Sequence, residues 1–141
     1  MNDRELGVRE FVLTQRVYYE DTDVGGLVYH ANYLRYLERA RSDLLRAAGI
    51  DQRALLADGI QFTVVDMQIA WRRPALYDDL LCVTATVREC RGASVQFAQN
   101  VYRTDRSGEL LVEATVRAAA LDTTTRRPVR LPEKLLQGFR E

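Results

Sequence analysis

Apolar and polar positions recur along this chain with two different periods. Between residues 31 and 48 the spacing is helical, with Tyr33, Leu37, Ala40, Leu44 and then Ala47 or Ala48 on one stripe. Arg39 with Asp43, and Glu38 with Arg41, are spaced to pair on the other side. Gly49 is a natural helix stop, and a shorter helix is expected over residues 51–58, ended by Gly59. Beyond Gly59 the period is two. Val65, Met67, Ile69 and Trp71 form the first alternating run, and Val83, Ala85 and Val87 the second. Val95, Phe97, Gln99 and Val101 form a third, and Val112, Ala114, Val116 and Ala118 a fourth. Residues 9–19 are rich in Val, Phe, Leu and Tyr and predict a strand ahead of the helix. Arg106-Ser107-Gly108-Glu109 predicts a hairpin turn, and residues 132–139 a last turn or two of helix.

The predicted order is therefore strand, long helix, four strands. Short connections between consecutive strands favour an antiparallel sheet, and strict alternation implies one covered face per strand. One long helical stripe is available to cover it. This defines an α+β two-layer domain occupying residues 1–141 as a single unit. Several long strands and a single helix leave sheet edge or face over, so closure by another copy of the chain is expected.

Composition narrows the partners. Lys+Arg and Asp+Glu number 20 each, which gives no bulk electrostatic footprint for nucleic acid or an anionic membrane surface. Cys82 and Cys90 fall in one predicted strand, roughly 26 Å apart if extended, beyond disulfide reach. Their parity places them with Thr84, Thr86 and Arg88 on the less apolar face, as small packing residues. The polar N-terminus has no signal-peptide apolar core, and no run approaches a membrane span. A cytoplasmic location is expected, with no membrane insertion.

The candidate chemistry lies in YYEDTDVGGLVYHANY, residues 18–33. Asp21-Thr22-Asp23-Val24-Gly25-Gly26 resembles the start of a calcium loop, but Gly25 stands where a third oxygen ligand is needed and Asn32 where the twelfth-position Glu belongs. One histidine and two cysteines separated by a strand cannot supply a four-ligand zinc site, so no metal is expected. No phosphate-cradling glycine motif and no GxSxG elbow occurs.

Two readings of Asp23, His30 and the glycines remain open. In one, the segment is only a turn and a helix cap. In the other, the helix start offers unpaired N–H groups and a positive dipole end to a carbonyl oxygen, while Asp23 sits beside the same carbonyl carbon. Gly25 and Gly26 would let backbone and substrate approach closely. That machinery suits acyl transfer to water without Ser, Cys or metal.

The stretch YYEDTDVGGLVYHANYLRYLERAR resembles the signature of hotdog-fold acyl-CoA thioesterases of the 4-hydroxybenzoyl-CoA thioesterase type, and more closely the bacterial branch associated with the Tol–Pal envelope system. RRPALYDDLLCVTATV resembles a second segment of that family, and the order of elements agrees along nearly the whole chain. The resemblance implies a hotdog domain, a curved antiparallel sheet of about five strands wrapped around one long central helix. It implies dimers joined edge to edge, commonly paired into a homotetramer, with active sites at the dimer interface.

Residue by residue, the resemblance puts the catalytic aspartate at Asp23 and the carbonyl-polarising backbone N–H at His30, whose imidazole is also implicated. It puts the tyrosine four before the aspartate at Tyr19, and the loop shaping the acyl end of the site at Gly25 and Gly26. Asp21 has no catalytic role in this scheme, and Glu38 is a surface or ion-pair residue. The implied reaction is hydrolysis of an acyl thioester to the free acid and CoA. CoA belongs to the substrate, no separate cofactor is expected, and an acyl carrier protein thioester is the other candidate substrate. Leu27, Tyr33, Phe62 and Trp71 are candidates for setting pocket width. Arg88, Arg91 and Arg103 supply positive charge nearby in sequence. The competing class is a hotdog module that binds acyl-CoA or acyl carrier protein without cleaving it.

Overall fold

The computed structural model describes residues 10–140. Five strands form one antiparallel sheet: β1 (Phe11–Arg16), β2 (Ile60–Trp71), β3 (Leu80–Arg91), β4 (Ser94–Arg103) and β5 (Leu110–Asp122). Their order across the sheet is β1-β3-β4-β5-β2. The helices are α1 (Tyr33–Ala47), α2 (Gln52–Ala57) and α3 (Glu133–Arg140). This is the α+β hotdog architecture expected above.

Helix α1 buries Tyr33, Tyr36, Leu37, Ala40, Leu44 and Leu45 against the sheet, a stripe at i, i+3, i+4 spacing. The sheet answers with Val83, Ala85, Val87, Val101, Val112 and Val116. Leu37 has no exposed surface, and truncating such a side chain to alanine removes about 2–5 kcal/mol of stability. The helix ends as its sequence demands. Gly49 takes φ of 82°, Ile50 N–H donates to Leu45 C=O at 2.9 Å, and Gly49 N–H to Arg46 C=O at 3.0 Å. This is the Schellman arrangement, which closes off the last carbonyls of the helix. Asp51 then caps α2, its Oδ1 accepting from Arg53 N–H at 2.9 Å.

Several expectations need correction. Strand β1 is shorter than residues 9–19: Arg9 lies outside the described residues, and Tyr19 belongs to a 3-10 turn, Tyr19–Asp21. The pairs predicted on α1 do not form. Asp43 pairs with Arg46 at 2.6 Å, Arg39 donates to Gln15 at 3.0 Å, and Arg41 is buried against Gln99. Strand β3 is buried on both faces from Leu81 to Val87 rather than on one. Its register slips between Val87 and Glu89, so the extra residue reverses parity. Cys90 consequently joins the core cluster, while Cys82 lies buried on the other face beside Thr84 and Thr86. Neither cysteine is in a disulfide, and burial pushes the Cys82 thiol up.

Candidate active site

The segment between β1 and α1 is a tight loop held by its own backbone. Tyr29 N–H donates to Asp21 C=O at 3.0 Å, and Asp23 N–H to Leu27 C=O at 2.8 Å. At its tip Gly26 N–H donates to Asp23 C=O at 3.1 Å and Gly25 N–H to Asp23 Oδ1 at 2.9 Å. Gly26 has φ of 80°, a conformation that a side chain would strain. The carboxylate of Asp23 is thus aimed by one oxygen, while Oδ2 has no hydrogen-bond partner among the described residues.

The loop is tied to its surroundings on two sides. Val28 N–H donates to Ala75 C=O at 3.0 Å and Tyr77 N–H to Gly26 C=O at 3.1 Å. Ala75 N–H donates to the hydroxyl of Tyr33, the first residue of α1, at 2.9 Å. Burial raises the Tyr33 pKa, which keeps that hydroxyl neutral.

A 3-10 turn, His30–Asn32, leads directly into α1. His30 is its first residue, and no described residue accepts a hydrogen bond from its backbone N–H. Its carbonyl accepts from Trp71 Nε1 at 3.1 Å, which latches the end of β2 onto the helix start. The imidazole lies 4.7 Å from the Tyr29 ring and 5.6 Å, edge-on, from the Trp71 ring. Asp23 and His30 line the same cleft, of about 320 Å³, together with Val28, Tyr33 and Trp71. Arg72 and Arg73 form its basic rim. They pair on their outer sides with Glu113 at 2.8 Å and Glu109 at 3.3 Å.

Behind the loop sits a buried polar cluster. Asp21 Oδ2 accepts from Tyr18 N–H at 2.9 Å. The hydroxyl of Tyr36 and the side-chain amide of Asn32 are buried close to Asp21 but, among the described residues, without a hydrogen bond of good geometry. Burial, first, and the nearby Asp21 carboxylate, second, push the Tyr36 hydroxyl's pKa well up. Asp21 therefore serves the wall of the site rather than the cleft.

The structure brings Asp23 and His30 together in the cleft with Tyr33, Trp71 and Leu27 from the expected pocket residues, while Gly25 and Gly26 do not line it and instead hold Asp23 through their N–H groups. Phe62 lies at the opposite end of β2 from Trp71. Tyr19 is not among the residues lining the cleft; its ring is 81% exposed and packs edge-on against Tyr77 at 6.1 Å. Arg103 is committed elsewhere, to Asp79, Glu109 and the carbonyl of Pro74. Arg72 and Arg73 were unforeseen as site residues, because only the return of β2 alongside α1 carries them forty residues back to the helix start. Among the described residues no group of three or more metal-ligating side chains occurs, and no helix is long and apolar enough to cross a membrane.

A five-stranded antiparallel sheet around a long helix, with an Asp-Val-Gly-Gly loop ahead of that helix's start, is the architecture of a hotdog thioesterase. Residues 17–139 match the thioesterase-like superfamily, and the chain belongs to that superfamily. It is 40% identical over 130 residues to the acyl-CoA thioesterase YbgC of Haemophilus influenzae, covering 92% of this chain and 93% of that one. It is 38% identical over 126 residues to the acyl-CoA thioester hydrolase YbgC of Escherichia coli, covering 89% of this chain and 92% of that one. Its fold also matches an aspartate-to-asparagine mutant of 4-hydroxybenzoyl CoA thioesterase complexed with 4-hydroxybenzoyl CoA. That match has a TM-score of 0.84 at 23% identity and covers 92% of this chain and 98% of that one.

Proposed function

We propose that the protein is an acyl-CoA thioesterase, hydrolysing an acyl thioester to the free acid and CoA. The observation that carries this reading is the shared cleft: a carboxylate with one free oxygen, Asp23, and an unbonded N–H, that of His30, at the start of the central helix. YbgC relatives of matching length, named for this activity, support it.

In this mechanism the thioester carbonyl oxygen accepts from His30 N–H. Charge developing on that oxygen meets the positive end of the helix dipole, a donor already in place before reaction. Asp23 Oδ2 then acts in one of two ways. It attacks the acyl carbon, expelling CoA thiolate and leaving an anhydride that water opens, or it takes a proton from water as the water attacks. Either way the C–S bond breaks, a C–O bond forms, and the sulfur leaves as thiolate. The imidazole of His30, facing the cleft beside Trp71, is placed to hold the water or the leaving sulfur. Arg72 and Arg73 place positive charge at the mouth, where the phosphates of CoA would approach.

The reading extends to assembly and location. Strand β2 is at the edge of the sheet and carries half-exposed Val64, Val65 and Trp71. A second copy paired along it gives the proposed dimer, with pairing of dimers into a tetramer and a cytoplasmic setting following from the resemblance.

Thiol release from acyl-CoA, followed with a thiol reagent, tests the activity. Asp23→Asn is expected to lose ~10²–10⁴ in rate. Near-normal turnover in that variant would remove Asp23 from the chemistry. Binding of acyl-CoA with no thiol release by the unsubstituted protein would instead identify a non-catalytic acyl-CoA module. In a single turnover in labelled water, label entering the Asp23 carboxylate marks nucleophilic attack, with water opening the anhydride at the Asp23 carbonyl.

A further inference from the structure

Arg41 is 8% exposed, one of the few charged residues in the interior. Among the described residues its hydrogen bond is from Nη1 to the side-chain oxygen of Gln99, at 2.9 Å. That oxygen is fixed, because Gln99 Nε2 donates to Leu37 C=O at 3.0 Å and Thr84 C=O at 3.3 Å, and Gln99 is itself 1% exposed. No carboxylate among the described residues lies within ion-pairing distance of Arg41. Glu38, one turn earlier on α1, is exposed and accepts from Ser42 Oγ at 3.4 Å instead. A buried guanidinium whose hydrogen-bond partner is neutral is poorly compensated: burial lowers its pKa, and the more distant charge of Glu38 only partly opposes that.

The guanidinium lines a cavity of about 300 Å³ between α1, α2 and β2, which has apolar walls from Phe62, Val95 and Phe97 and a polar side that includes Glu38 and Gln52. A second hollow on the same seam shares Glu38, Arg41 and Val64 with it and reaches Leu34 and Met67. One turn further along α1, and four residues further along β2, stand His30 and Trp71 of the candidate active site. Between the reacting end and this single buried cation the seam is floored by Leu34, Val64 and Met67, with the charged side chains of Arg35, Glu38 and Arg39 along its open side.

We propose that this seam is the acyl channel and that Arg41 binds a carboxylate at its far end, selecting acyl groups that carry a terminal anion. The inference rests on the thioesterase reading and names its substrate class. The geometry sets the length. His30 and Arg41 are eleven residues apart, roughly 16 Å along a helix. An extended chain advances about 1.2 Å per bond, so about a dozen carbons span the distance. The planar guanidinium accommodates a carboxylate through two parallel N–H donors, and the apolar walls accommodate the methylenes.

The test compares the CoA thioesters of dodecanedioic acid and of its monomethyl ester, which have matched chains and differ in one charge. The expected result is a kcat/KM ratio of about tenfold or more favouring the free carboxylate, a ratio that collapses toward one in Arg41→Met and Arg41→Gln. Equal rates on both substrates in the unsubstituted protein overturn the inference and leave the thioesterase reading intact. If neither substrate is cleaved, the thioesterase reading fails. The anion site is then judged by calorimetry with free dodecanoate and dodecanol: Arg41-dependent binding of the acid alone supports a carboxylate site, and no difference overturns it. One further outcome overturns the proposal and also covers a variant that fails to fold. If Glu38→Gln weakens self-association in sedimentation and the unsubstituted protein shows no preference between the two thioesters, the partner of Arg41 is Glu38 of a second copy.

Discussion

Gly25 and Gly26 stand side by side in the loop, yet they do different work. Gly26 has φ of 80° and closes the turn on Asp23 C=O at 3.1 Å. Gly25 has an ordinary φ, and a Cβ built on it would meet only Asp23 Oδ1, at 3.5 Å, an ordinary contact. Gly26→Ala is therefore expected to destabilise the loop by about 1 kcal/mol or more through backbone strain and to displace Asp23, lowering kcat. Gly25→Ala is expected to fold normally and leave kcat within a few-fold. Thermal melts and thiol-release kinetics on the two variants check this, and equal damage from both would mean that space, not conformation, fixes the pair. From the sequence, the Gly-Gly pair was legible as a place needing conformational freedom. Which glycine needs it was not, because that depends on the hydrogen bond from Gly26 N–H to a carbonyl three residues back. Arg41 was illegible for a related reason. Its spacing along the helix suggests a pair with Glu38, whereas in the structure it turns inward to Gln99 of β4, 58 residues away.

At the level of elements, the periods of three to four and of two marked out α1 and the four later strands, because α1, β3, β4 and β5 bury residues that the period counts. Strand β2 keeps the period with no fully buried residue, and its Val65 and Trp71 are half exposed rather than covered. Irregularities escaped. The register shifts near Val65 in β2 and near Arg88 in β3 insert one residue each, and a single extra residue reverses which face later side chains occupy. The pairing of β1 with β3, and the placing of β2 at the far edge, also cannot be read from local pattern, since both are long-range choices. Yet the site depends on that placing. Because β2 ends beside the start of α1, Trp71 Nε1 can donate to His30 C=O at 3.1 Å and hold the 3-10 turn. Trp71→Phe keeps most of the ring and removes the donor. It is expected to cost about 0.5–1.5 kcal/mol in stability and to lower kcat more than it raises KM, because the turn that presents His30 N–H loses its latch. An effect on KM alone would assign Trp71 to substrate contact rather than to holding the turn.

At the level of the whole molecule, the sheet is asymmetric. One edge is β1, six residues long, and the other is β2, twelve residues long. A long, partly apolar edge invites another strand, and natural monomers blunt such edges with charge or brevity. Here Val65 is the residue that the register shift leaves unpaired against β5, and it is 49% exposed. The cleft holding Asp23 and His30 lies at the end of this same strand, at Trp71, so a second copy along β2 would reach both seam and cleft. Val65→Lys adds a solvated charge at the edge without touching the core. The proposed dimer is expected to shift toward monomer in sedimentation at micromolar concentration, with the melting temperature measured at high concentration falling as the partner's stabilisation is lost. Thiol release is expected to fall in step with the fraction of dimer, even though Val65 is remote from Asp23. Full activity in a monomeric Val65→Lys protein would mean that one chain carries the whole site, and a dimer unaffected by the substitution would move the interface away from β2.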